Sequence, residues 1–114
     1  MASSPAAVPD PSVVTVFRSR LRPGVQDEYG PLAEHLEALA RRQPGFVDFK
    51  TFVSADGERL SLVTFADQAS HDAWRAHEEH RAAQQLGRQR FYESFDIVVC
   101  RPVARRRFGD PGGG

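Results

Sequence analysis

The residues best equipped for chemistry crowd into the second half of the chain, in AWRAHEEHRAAQQLGRQRFY (73–92). On a helix turning about 100° per residue, Trp74, His77, Arg81, Gln84 and Arg88 share one arc. Ala69, Ala73, Ala76, His80, Ala83 and Gly87 share the adjoining arc, a small-residue face that predicts a helix lying close on its support. Imidazole moves protons near neutral pH, so His77 and His80 are the candidate bases. Guanidinium holds a developing oxyanion, which makes Arg81 and Arg88 candidate substrate-binding residues. The Trp74 indole offers a flat wall to a polycyclic substrate. Each residue also has an ordinary use. Trp74 and His80 can be core residues, and the arginines can pair with Glu78 or Glu79 at the surface. Their convergence on one flank is what marks a site.

Other chemistries lack their residues. His77 and His80 stand three apart, but no Asp or Cys occupies a convincing third ligand position, and His71 lies far round the wheel from His80. No metal is expected. Gly24, Gly30, Gly45 and Gly57 stand singly, so no phosphate-cradling loop exists, and neither a Ser-His-Asp order nor a nucleotide or flavin cofactor is indicated.

The elements that must position this flank punctuate cleanly. VVTVFRSRL (13–21) is a strand stopped by Pro23-Gly24, and a helix over 25–43 follows, carrying Leu32, Leu36 and Leu39 and ending at Pro44-Gly45. Pro31 belongs in the first turn of that helix or kinks it. FVDFKTFVS (46–54) and RLSLVTFA (59–66) form a hairpin around Asp56-Gly57. Asp67 or Ser70 then caps a second helix running to about Arg88, and 91–103 is the last strand. The order β-α-β-β-α-β predicts an α+β, ferredoxin-like fold: a four-stranded antiparallel sheet with both helices on one face. Strands 46–54 and 91–103 are apolar on both sides, however, and no residues remain to cover the second face. A homodimer is the expected solution.

Composition bounds the rest. The 114 residues carry 15 basic and 15 acidic side chains, a net charge of zero that argues against nucleic acid as a partner. Fourteen of the basic residues are Arg and one is Lys50, a bias that reads first as compositional. Residues 1–12 and 104–114 lack periodicity and are expected to be disordered arms flanking one domain, 13–103. No signal peptide or membrane-spanning run is present, and one cysteine, Cys100, precludes an internal disulfide. The expectation is a cytoplasmic protein.

With this order in view, the chain resembles the antibiotic biosynthesis monooxygenase family across 13–103. The resemblance rests on QPGFVDF (43–49), on Trp74, His77, Glu79 and His80, and on GRQRFY (87–92). It implies a dimeric α+β barrel with a pocket between sheet and helices. Some members convert phenols or anthrones to quinones with O₂ and neither metal nor flavin; others degrade haem. Haem-degrading members carry an Asn late in the first strand, where this chain has Phe17 or its neighbours Arg18 and Ser19. They also carry a ligand His about ten residues past the Trp, where Gln84 stands. Quinone-forming members carry a Tyr about six residues past the Trp. His80 occupies that place here, leaving Tyr92 as the candidate substitute and Phe17 as a further substrate contact. The expected activity is therefore a cofactor-independent monooxygenase with O₂ as co-substrate. A non-oxidative cyclase or isomerase, or a dimer that binds a small ligand without turnover, would use the same fold.

Overall fold

The computed structural model describes residues 10–109. β1 (Val13–Leu21), α1 (Gln26–Arg41), β2 (Phe46–Val53) and β3 (Arg59–Phe65) are followed by α2 (Gln68–Ala76), α3 (Glu78–Leu86), a π-helical turn (Gly87–Phe91) and β4 (Tyr92–Cys100). The strands pair antiparallel in the order β2-β3-β1-β4, the expected ferredoxin-like sheet. Among the described residues no helix is long and apolar enough to cross a membrane.

The β-branched and aromatic residues of β1 make it a central strand, paired with β3 on one side and β4 on the other. Residues directly opposite share a face, so the register sorts the sheet. Val13, Thr15 and Phe17 face the helices together with Phe65, Val63 and Ser61 of β3. Val14 and Val16 face away, beside Leu62 of β3 and Val98 and Cys100 of β4. A shift in pairing between Phe46 and Asp48 turns Phe46, Phe49 and Thr51 to the helix side. Gly57, at φ +90°, supplies the left-handed residue the β2–β3 hairpin needs.

α1 runs from Gln26, placing Pro31 inside it rather than in its first turn; Asp27 and Glu28 lie at its N-terminus and Arg41 in its last turn, as the helix dipole favours. Gly45 follows at φ +79°, and a Cβ there would collide with the Ser70 side chain, so glycine is required for both reasons. The core forms where α1 and α2 meet the sheet: Ala40, Val63, Phe65 and Trp74, with Phe46 and Phe49 packed against them. Of the expected terminal arms, residues 1–9 and 110–114 lie outside the described residues. Nearer the domain, Asp10 accepts from the Ser12 amide at 2.9 Å and pairs with Arg105 at 3.0 Å.

The single second helix expected to reach Arg88 is instead two helices hinged at His77. That residue has an extended backbone (φ −60°, ψ 132°). Its N–H ends α2 on the Trp74 carbonyl at 3.1 Å, and its own carbonyl begins α3 by accepting from Arg81 N–H at 3.0 Å. The imidazole Nδ1 accepts from the Glu79 amide at 3.2 Å, so His77 is the N-cap of α3, with Glu78 and Glu79 in the first turn. Asp67 caps α2 by accepting from Ser70 N–H at 2.8 Å. The hinge overturns the small-residue face. Ala69, Ala73 and Ala76 are exposed, whereas α2 buries His71 and Trp74 and α3 buries His80 and Ala83.

Losing this cap should weaken the fold without touching the helix-facing core. His77→Ala is expected to lower unfolding free energy by about 0.5–1 kcal/mol in urea titrations, and His77→Asp, a stronger cap, to match or exceed the native value. Equal midpoints for all three proteins would refute a capping role.

Candidate functional site

α1 and the α2–α3 hinge stand off the sheet far enough to leave a cavity of about 500 Å³. Phe17, Phe49, Val63 and Ile97 make an apolar floor, and Thr15, Thr51 and Ser61 set hydroxyls into it. Thr51 and Ser61 bond each other at 2.9 Å. α1 contributes Tyr29 and Leu36, and the hinge contributes Trp74, Arg75, His80 and Gln84.

Trp74 and His80 form the inner wall. Their ring centroids lie 4.2 Å apart at 47°, and the Phe65 ring also packs on the indole at 5.2 Å. Both residues are about 95 per cent buried, and both hold an atom without a hydrogen-bond partner: Trp74 Nε1 and His80 Nδ1. A buried polar group left unpaired costs about 1–3 kcal/mol. Burial pushes the His80 imidazole down to about 4, against a backbone hydrogen bond with Arg75 that acts in the opposite sense. It is a neutral ring with a lone pair or an N–H to offer.

The far end of the cavity is phenolic. The hydroxyls of Tyr29 and Tyr92 lie 2.9 Å apart, and the Arg59 guanidinium sits 5.5 Å over the Tyr29 ring. Burial and then the neighbouring Tyr29 raise the Tyr92 hydroxyl well above its ordinary range, so it stays protonated and can donate. Tyr92 is seated by the π-helical turn. Arg22 reaches the carbonyls of Gln89, Arg88 and Tyr92 at 3.1, 3.4 and 3.3 Å, and its own amide donates to Phe91 at 2.8 Å. A Cβ on Gly87 would come within 2.5 Å of the Tyr92 ring, so only glycine lets the turn close over it.

Of the residues singled out from the sequence, Phe17, Trp74, His80 and Tyr92 line the cavity and His77, Arg81 and Arg88 do not. The hinge is the reason. With no continuous helix, His77 is occupied as a cap, Arg81 is exposed on α3, and the Arg88 guanidinium rests 5.5 Å from the exposed Phe95 ring. The cavity residues that went unread include Tyr29, Arg59, Ser61 and Thr15. Alternation in RLSLVTF would have placed Arg59 and Ser61 beside Val63 and Phe65, the helix-facing pair. Among the described residues no group of three or more His, Cys, Asp and Glu is arranged to hold a metal ion.

Comparison with known proteins agrees with this architecture. The model of the antibiotic biosynthesis monooxygenase family matches residues 12–86. The uncharacterized protein YqjZ of Bacillus subtilis is 32% identical over 100 residues, 88% of each chain. Among solved structures, Rv0793 from Mycobacterium tuberculosis superposes with a TM-score of 0.75 at 16% identity, over 84% of this chain and 99% of that one. SnoaB, a cofactor-independent oxygenase from Streptomyces nogalater, gives 0.71 at 18% identity over 87% and 98%. These structural likenesses speak for the fold, and the match to the family model covers well over half of the 114 residues: the chain belongs to the antibiotic biosynthesis monooxygenase family.

Proposed function

We propose that the protein is a cofactor-independent monooxygenase that oxidises an electron-rich aromatic, a polyketide-type phenol or anthrone, with O₂ towards a quinone. The observation that carries this reading is the pair of unpartnered buried atoms, Trp74 Nε1 and His80 Nδ1, on the wall of an aromatic-lined cavity of about 500 Å³. A hydroxyl on a flat ring answers both, accepting from the indole N–H and donating to the imidazole. The oxygenase activity named for SnoaB, which shares the fold, supports the reaction class.

The chemistry asks three things of the chain. It must bind a flat apolar molecule, which Phe17, Trp74 and Ile97 do by contact. It must favour the ring's anion, which transfers an electron to O₂; the protonated Tyr92 hydroxyl and the Arg59 charge stand where they can stabilise it. It must exclude water while a hydroperoxide forms and collapses. The balance is simple: the two hydrogens of an anthrone methylene leave with one oxygen atom as water, and the other oxygen becomes the new carbonyl. His80, held neutral, orients the substrate throughout the physiological range.

The functional unit in this proposal is a homodimer. Val14, Val16, Leu62 and Val98 form an apolar band on the sheet face opposite the helices, with Val98 46% and nearby Phe52 44% exposed. A second copy packed face to face would bury it.

Three outcomes are expected. Metal-free protein should consume O₂ with an anthrone in air, and His80→Ala and Tyr92→Phe should each slow it by roughly 10–100-fold; conversion under argon at the same rate would replace the oxygenase by a cyclase or isomerase. Sedimentation should give twice the 12.7 kDa protomer mass, and Val16→Asp, at the centre of the band between Leu62 and Val98, should halve it; a native protein at 12.7 kDa would remove the dimer. His80 also gives stability a pH dependence. Its folded value of about 4 lies below the ordinary 6.5. The unfolded chain therefore takes up the proton first, and the stability from the neutral ring is whole above about pH 6.5 and falls away from there towards pH 4. Urea unfolding should lose up to about 3 kcal/mol across that window in the native protein, a loss absent from His80→Gln.

A further inference from the structure

His71 takes no part in the proposed chemistry, yet both its ring nitrogens have side-chain partners. It is 3% exposed, on the face of α2 that meets Thr15 of the sheet. Its Nε2 lies 3.2 Å from Thr15 Oγ1, and its Nδ1 lies 3.0 Å from Asp72 Oδ1. Thr15 lines the cavity and is itself buried, whereas the Asp72 side chain is 62% exposed. Carboxylate, imidazole and hydroxyl thus form a continuous chain from the protein surface to the floor of the cavity.

The direction of each bond follows from what each group can do. An ionised Asp72 only accepts, so His71 Nδ1 carries the hydrogen. Nε2 is then the acceptor and the Thr15 hydroxyl donates to it. That leaves the lone pairs of Thr15 Oγ1 free to accept from a ligand in the cavity that Thr15 lines. Hydrogen bonds from His71 and Gln68 hold the Asp72 carboxyl below its usual range, with Arg101, bonded to Gln68 at 2.6 Å, as the nearby cation. Asp72 is therefore charged and suited to face an imidazolium.

We propose that Thr15, His71 and Asp72 are a proton reservoir for the cavity. A substrate hydroxyl standing at Thr15, distinct from one held by Trp74 and His80, gives its proton to Thr15 Oγ1 as the Thr15 proton moves to His71 Nε2, and the imidazolium is held by Asp72 without protonating it. The return path runs backwards: His71 gives the proton to Thr15, and Thr15 gives its own to the peroxide anion formed from O₂. One proton leaves the substrate and one comes back, so all three residues are restored before water is lost. The substrate named here rests on the monooxygenase reading; the relay itself rests only on the geometry. Thr15 touches the substrate, and His71 and Asp72 act through it.

The test uses 4-nitrophenol, whose colour reports its ionisation, with metal-free full-length protein one pH unit below the probe's solution pKa. Bound to the native protein it should absorb as nitrophenolate. Thr15→Val, which keeps the shape, should bind it within a few-fold yet leave it protonated, and Thr15→Ser should restore the colour. Asp72→Asn, an exposed change that spares the core, should cut the ionised fraction several-fold and carries the test if Thr15→Val fails to fold. A protonated probe on the native protein, or full ionisation by Thr15→Val or Asp72→Asn, overturns the reservoir. An ionised probe without O₂ uptake on anthrone would leave the reservoir standing and defeat the monooxygenase reading.

Discussion

The site depends on one interrupted helix. Had 67–88 continued as a regular spiral, His77 would have stood on the flank of Trp74 and His80 among the alanines. The extended backbone at His77 ends α2 on the Trp74 carbonyl and restarts the chain as α3, folding His80 back until its ring meets the indole at 4.2 Å. The same turn lifts α3 over the sheet beside α1, where Glu79 meets His35 at 3.3 Å. The cavity occupies the wedge between them. Beyond α3 the π-helical turn repeats the device on a smaller scale: Arg22 clamps its carbonyls and Gly87 makes room, so that Tyr92 enters the cavity opposite Tyr29.

That wedge is closed by polar residues where a folding optimum would place aliphatic ones. Filling it with leucine would gain apolar burial and remove two unpaired atoms at Trp74 and His80. The fold offsets this elsewhere, through Phe65, Val63 and Ala40 packed beneath the indole and the aromatic group of Phe17, Tyr29, Phe91 and Tyr92 at the other end. These packed groups thus flank the cavity on two sides and support its wall.

Much of this could be read before the structure. The β-branched strand of β1, the Asp56-Gly57 hairpin and the Pro44-Gly45 stop are local chemistry, and local chemistry set them; the two-sided apolar pattern of the strands came from the same source. The hinge could not be found that way. AWRAHEEHR has strong helix formers on both sides, and its cap is an imidazole rather than the Ser, Thr, Asp or Asn that mark helix starts. One missed break displaced His77, Arg81 and Arg88 from the cavity and exposed the alanine face. Tyr29 and Arg59 failed for a different reason. They come from elements distant in sequence, and only the β1–β3 pairing and the seating of α1 bring Arg59 over the Tyr29 ring.

The three histidines of the hinge show how far residue type underdetermines role. His77 spends its lone pair on a backbone amide and serves the fold. His80 is buried against an indole with no hydrogen-bond partner on Nδ1, and desolvation holds it neutral. His71 is as deeply buried but has a carboxylate on one nitrogen and a hydroxyl on the other. Charging His80 would place a cation among apolar groups with no counterion, whereas charging His71 places it beside Asp72. In the reservoir proposed above, proton storage therefore falls to His71. The chemistry divides into a ring that orients and a ring that holds charge, and it is the partners of each imidazole that make the division.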